Sequence, residues 1–248
     1  MQSRVFLAGI IFVLFVAGGL FAAEADSLLA QGDALAKQHR TREALAVFEK
    51  ANSLSPANAE ILSRLSEQYS DLTDSEKSEK PARQSLEFAL QAVKAASDNF
   101  RAHVDLAIAY GKLTDFTDNK TKLEYSKLIK KEAETALRLD PNNALAAHVL
   151  GRWHLGIASL NPMLKAMARM IYGGMPPASM EEAVSLLKKA VDLEPSSILY
   201  RHELAKAYSK NGQSQLARLQ WEQMVLLHPS DKEDETALQE ARAAIHRR

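Results

Sequence analysis

The sequence contains no cysteine, and that absence removes disulfides, thiolate nucleophiles and zinc–thiolate sites together. Glycine and proline are scarce, 10 and 8 among 248 residues, which fits helices joined by short turns. Neither sign of charge is in excess. Lys plus Arg equals Asp plus Glu at 31 each, so no global field attracts nucleic acid, and none is expected as a partner. Enzyme signatures are absent: there is no His-Glu-x-x-His, no phosphate-binding glycine loop and no Gly-x-Ser-x-Gly. Seven histidines are scattered, and His148 and His154, six apart, do not share a helix face. The expectation is a chain without catalytic residues, metal or cofactor. At this length it buries a good core, with one domain as the default.

What is present is a recurring turn. Leu139-Asp140-Pro141-Asn142-Asn143 returns as Leu193-Glu194-Pro195-Ser196-Ser197 and, more weakly, as Leu227-His228-Pro229-Ser230-Asp231. Proline cannot continue a helix and biases the residue before it out of the helical region. Asp140, Asn142 and Asn143 supply side-chain oxygens suited to turns and N-caps. From Pro195 to Pro229 is 34 residues, the period of the tetratricopeptide helix pair. Small residues fall where the two helices of a pair approach, at Ala205 and Ala217, with Leu204, Tyr208 and Trp221 as larger packing groups. In the preceding unit the matching set is Leu150, Gly151, His154, Ala183, Leu187 and Ala190.

In order, residues 1–25 read as a targeting segment: Arg4, an uncharged apolar run from Val5 to Phe21, then the small-x-small pattern Ala23-Glu24-Ala25. Cleavage would leave Asp26 first and place the protein in the periplasm or outside the cell. The alternative is an uncleaved anchor over residues 5–23. Residues 26–248 are expected to form an all-α, right-handed tetratricopeptide-repeat solenoid of about five helix pairs. The repeats lie near 25–58, 59–99, 100–143, 144–197 and 198–231. A capping helix over 232–248 covers the last hydrophobic face. The first repeat is uninterrupted, with Gly32, Leu35, Ala44, Phe48, Ala51 and Pro56 in place. In the second, the polar run Thr73 to Lys80 reads as a lengthened loop, Pro81 suits the next helix's first turn, and Ser97 stands where proline should be. The third has a loop rich in Asp, Asn, Thr and Lys. The fourth carries the largest insertion, Ser159 to Pro177. Tyr69, Tyr110, Tyr208, Trp153 and Trp221 are expected to pack.

Some pieces are not generic repeat consensus: His148-Val149-Leu150-Gly151-Arg152-Trp153, Tyr172-Gly173-Gly174-Met175-Pro176-Pro177, Met180-Glu181-Glu182-Ala183, Leu204-Ala205-Lys206-Ala207-Tyr208 and Asp231-Lys232-Glu233-Asp234. Together they resemble the regulator of microtubule dynamics family, over about Phe100 to Ile245 and more loosely over the first two repeats. The resemblance implies a helical interaction module near a membrane, with phospholipid as a candidate ligand. Animal members of that family separate anchor from repeats by a long linker, whereas here repeats begin where the apolar segment ends. A bacterial envelope is the expected setting.

Two sets of residues are candidates for binding. In the insertion, Met163, Met167, Met170 and Ile171 form a stripe at helical spacing, with Lys165 and Arg169 off it. The stripe reads as a short extra helix packed on the solenoid, or as a contact for lipid tails or a hydrophobic peptide. Repeat positions also project charge onto the concave face. Asp26, Asp33, Glu60 and Glu67 point inward from the first two repeats, and Arg101, Lys112, His148, Arg152, His202, Lys206 and Lys210 from the next three. The second group forms a basic half-groove suited to a carboxylate or phosphate, or is ordinary solvated charge. The expected partner is a protein or peptide in the groove, with phospholipid as the second candidate.

Overall fold

The structure, a computed structural model, describes residues 22–174 and 176–246, without the side chains of 167, 171 and 172. The apolar run of the targeting segment therefore lies outside the described residues. Contacts divide the chain into two compact units, the first ending at Phe116 and the second starting at Thr117.

The first unit runs α1 (residues 22–36), α2 (Thr41–Leu54), α3 (Ala59–Glu76), α4 (Glu79–Ala95), α5 (Phe100–Leu113) and a single 3-10 turn, Thr114–Phe116. The first member of each helix pair is its A helix (α1, α3, α5) and the second its B helix (α2, α4). Core residues come from neighbouring helices: Ala25 and Leu28, then Ala44 and Phe48, then Ile61 and Leu65. Gly32 is there because nothing larger fits. A Cβ at that position would stand 2.3 Å from the Phe48 ring. Tyr69 is buried, stacks on Phe88 with ring centroids 5.6 Å apart and donates its hydroxyl to Glu49 at 2.7 Å.

The second unit runs α6 (Asn119–Leu139), α7 (Ala144–Ala158), α8 (Pro162–Tyr172), α9 (Met180–Leu193), α10 (Ile198–Lys210), α11 (Ser214–Met224) and α12 (Lys232–His246). Here α7 and α10 are A helices, and α6, α9 and α11 are B helices. Leu187, Leu204 and Ala190 fill one core, and Ala205, Trp221 and Met224 another. The second is closed by Ala237, Leu238 and Ala241 of α12, which does what a capping helix must. Gly151 admits α9, since a Cβ there would lie 2.8 Å from Leu187 Cγ.

The turns between repeats share one geometry. The Asn58 amide donates to Ser55 O at 3.1 Å, Asn143 to Asp140 O at 3.2 Å and Ser197 to Glu194 O at 3.2 Å. The next helix is then capped by a side chain: Asn58 Oδ1 accepts from the Glu60 and Ile61 amides, Asn143 Oδ1 from Ala146 and Ser197 Oγ from Tyr200. Ser97 breaks the proline pattern without breaking the turn. Asn99 still donates to Ala96 O at 3.1 Å and caps Arg101. The cap, and not the proline, is the constant feature.

The polar run of the second repeat differs from expectation. Thr73 to Glu76 continue α3, because Thr73 is buried and its hydroxyl bonds back to Tyr69 O at 2.8 Å. Only Lys77, in the left-handed region at φ 52, and Ser78 separate α3 from α4, with Pro81 in the first turn of α4. Likewise Asn119 to Lys122 open α6, capped by Asp118. Polar insertions became helix length.

Candidate functional site

On the A helices of the first unit, charge converges around one guanidinium. Arg64 of α3 has a side chain 15% exposed. Its Nε lies 2.5 Å from Asp33 Oδ1 of α1, one terminal nitrogen is 2.8 Å from Glu60 and the other 3.6 Å from Glu67. Arg101 of α5 joins them at 3.1 Å from Glu67. Below them Asp105, 3% exposed, has an enclosed Oδ2 that no donor reaches in hydrogen-bond geometry among the described residues. Burial pushes the Glu67 carboxyl up to about 7 against the pull of Arg64, with Asp71, Glu60 and Asp33 adding to the push. Burial raises Asp105 well above its ordinary range, helped by the charge of Glu67, and the nearby Ser63 hydroxyl and Arg64 only temper the rise. Lys112 pairs with Asp74 of α3.

The A helices of the second unit carry the inverse arrangement. Glu203 of α10 has a side chain 7% exposed and is flanked by two cations, Lys206 Nζ at 3.0 Å and Arg152 Nε at 3.9 Å, with the His202 ring beside them, Nδ1 at 4.0 Å. Burial alone would raise the Glu203 carboxyl, but Arg152 and Lys206 outweigh it and hold it below its ordinary value. His202 reaches across to Glu240 of α12 at 2.9 Å. His148 is buried beside Tyr200, ring centroids 4.8 Å apart, with both ring nitrogens enclosed and unbonded. Burial, with Arg152 next, lowers its imidazole to about 3, so it is neutral at physiological pH. His154 lies elsewhere in the unit, its Nδ1 accepting from the Ser179 amide at 3.3 Å.

Most cations singled out in the sequence therefore face a carboxylate. Arg101 and Lys112 do so in the first unit, and Arg152 and Lys206 gather around Glu203 in the second, beside the His202 ring. Sequence reasoning placed Asp33, Glu60 and Glu67 on the same face as these cations but missed Arg64, Asp105, Glu203 and Glu240. One signal was readable: Glu203 and Lys206 are three apart and pair on one helix face. The others are joined across repeats, as in Arg101 with Glu67, 34 residues apart, and His202 with Glu240, 38 apart. Those distances are about one repeat, so one A helix and the next, or the last A helix and the capping helix, present them side by side.

The insertion holds α8, capped by Asn161, with Pro162 in its first turn and Gly173 at φ 75 after it. Met163 is 72% exposed and Met170 81%, while the Met167 side chain lies outside the described residues. Among its described side chains only Ala168 is even half-buried. Lys165 folds back to donate to Ala158 O at 2.9 Å.

The family described as regulator of microtubule dynamics protein 1-3 has a model that matches residues 23–247. Regulator of microtubule dynamics protein 1 of Pongo abelii is 25% identical over 231 residues, covering 90% of this chain and 72% of its own length. Regulator of microtubule dynamics protein 3 of Xenopus laevis is 28% identical over 190 residues, covering 73% and 41%. Among solved structures, a thermophilic TPR protein of Thermus thermophilus superposes with a TM-score of 0.69 at 20% identity, covering 88% of this chain and 99% of that one. The Pseudomonas aeruginosa pilF structure gives a TM-score of 0.59 at 14% identity, covering 91% and 88%. The fold is an all-α tetratricopeptide-repeat solenoid.

Proposed function

The chain belongs to the regulator of microtubule dynamics protein family, and from that premise we propose that it is a non-catalytic scaffold holding a protein or peptide partner on the charged faces of its A helices. The supporting observation is the cross-repeat charge network. In each unit, side chains from successive A helices meet around a buried ion of one sign, Arg64 or Glu203, while their outer neighbours stay open to solvent. Such an array is ordered before a partner arrives, which spares part of the entropy that binding costs. A photo-crosslinking residue at Lys206 or at exposed Arg152 should capture the partner, whereas one at exposed Lys188 on α9 should not. Equal capture from both positions would remove the reading.

The exposed Met163, Leu164 and Met170 of α8, with only Lys165 and Arg169 as charges, favour a second reading in which the ligand is a phospholipid. Native mass spectrometry of protein purified with its membranes tests it, and co-purifying phospholipid is the supporting result. Delivery to a cell envelope rests on the N-terminal sequence pattern. Ala25 is buried in the first core and α1 is already helical at residue 22, so cleavage after Ala25 would cut a formed turn and remove a packed methyl. Intact mass separates a mature N-terminus at Asp26 from a retained anchor.

A further inference from the structure

Every other helix of the second unit sends buried side chains into the solenoid, whereas α8 sends none among its described side chains. Its two sides differ. Half-buried Ala168, and Lys165 with its bond to Ala158 O of α7, mark the side toward the fold. Met163 and Met170, seven residues and two helical turns apart, share the opposite side and stand in solvent, with exposed Leu164 at the edge of the stripe. Lys165 and Arg169, one turn apart, form the polar side, and among the described residues neither makes an ion pair. The stretch around the helix has a charge signature of its own. Residues 141–180 include none of the chain's 31 acidic side chains. The other two polar insertions are ordinary in this respect, with Asp74, Glu76 and Glu79 in one and Asp115 and Asp118 in the other. A segment that faces only water has no reason to exclude carboxylates. One that approaches a surface of phosphates does.

We propose that α8 is an interfacial helix that docks on an anionic phospholipid bilayer. Met163, Leu164 and Met170 enter the boundary between headgroups and acyl chains, and Lys165 and Arg169 reach lipid phosphates. This deepens the phospholipid reading of α8 and rests on it, with the lipid met as a surface and not as one bound molecule. With 11 residues α8 is about 16 Å long, half of the hydrocarbon thickness of about 30 Å, so it lies along the surface and does not cross it. The side-chain chemistry suits that position. Unbranched methionine adapts to a fluid, irregular contact, and the long stems of lysine and arginine lie along apolar surface while their charges stay at the phosphates. The orientation suits it too, since the apolar stripe points away from α7 and nothing in the second unit has to move to expose it.

The chain has no cysteine, so Met163→Cys supplies a single thiol for an environment-sensitive nitrobenzoxadiazole dye in the full chain. Vesicles of phosphatidylcholine with about a quarter phosphatidylglycerol should shift its emission to the blue. A spin label high on the acyl chain should quench it more than one at the chain end, as for a helix at the boundary. The same dye at Leu226→Cys, a comparably exposed apolar position before α12, should not respond. Vesicles of phosphatidylcholine alone, or Lys165→Gln combined with Arg169→Gln, should raise the lipid concentration needed at least tenfold, from about fivefold per cation near an anionic surface. The double variant should melt as the parent does, because no described side chain of α8 is buried. No response at position 163, equal responses at 163 and 226, or equal responses to neutral and anionic vesicles would overturn the proposal. A blue shift that grows with protein concentration in the absence of lipid would make α8 a contact between copies and overturn it as well. A shift caused by the captured protein partner, and not by vesicles, would do the same. Phospholipid that co-purifies while the dye at 163 ignores vesicles overturns the inference and leaves the phospholipid reading standing. With neither, both fall.

Discussion

The two units solve the same problem with opposite signs. In the first, a nearly buried base, Arg64, is ringed by acids; in the second, a nearly buried acid, Glu203, is ringed by bases. The surroundings decide the consequence for each ion. Around Arg64 the acids outnumber the bases, and burial pushes Glu67 and Asp105 toward holding protons. Around Glu203 the cations stand partly in water and together hold the carboxyl ionised. One helix-pair scaffold thus presents two electrostatic characters, set by which residue of a cross-repeat pair lies inside.

Removing the central ion should break the comparison most visibly. Arg64→Met leaves Asp33, Glu60 and Glu67 crowded and uncompensated, and denaturant unfolding should show a loss of about 3 kcal/mol. Glu203→Gln releases Arg152 and Lys206 to water, so about 1 kcal/mol is expected there. Equal losses would mean that solvent access does not distinguish the units. Packing gives a smaller contrast. Gly32→Ala drives a methyl against the Phe48 ring at 2.3 Å, whereas Gly151→Ala meets Leu187 less closely, Cγ at 2.8 Å and the amide nitrogen at 3.1 Å. Thermal melts should register about 2 kcal/mol for Gly32 and about 1 kcal/mol for Gly151.

The pH response is the smallest effect and the one that separates the units by sign. Glu67 is raised from 4.5 to about 7 by folding, so its contribution is present below 4.5 and is lost as pH rises through 7. His148 is depressed from 6.5 to about 3, so its contribution is present above 6.5 and is lost as pH falls toward 3. Between pH 7.5 and 5.5 the first unit should therefore gain stability and the second lose it, each on the order of 1 kcal/mol. Hydrogen exchange of α3 and α5 against α7 and α10, corrected for intrinsic rates, reads both at once. Parallel shifts would show that the two buried sites do not control their units.

Much of this fold is written locally, which is why it is legible. The turns follow from Asn58, Asn143 and Ser197 capping the next helix, and the close approaches from Gly32 and Gly151. The capping helix was readable as one polar helix over 232–248 that covers the last hydrophobic face. The polar run from Thr73 was not, because its helical character depends on a bond back to Tyr69 and on burial that no composition records. Asp33, Glu60 and Glu67 could be assigned to the inward face, but their joint hold on Arg64 could not. Pairing across about one repeat depends on side-chain reach and on which partner is interior. Lys130 illustrates the same limit. It pairs with Glu134 and lies 5.7 Å above the Trp153 ring, contacts that no sequence spacing announces.

Partner binding on the A-helix faces is tested most directly by Arg152→Ala. With the crosslinked partner in hand, that substitution should weaken binding by about 1.5–3 kcal/mol, the range of a hydrogen bond to a charged group, while Lys188→Ala leaves it unchanged. Circular dichroism should show both variants folded. Equal affinities for the parent, Arg152→Ala and Lys188→Ala would contradict the account.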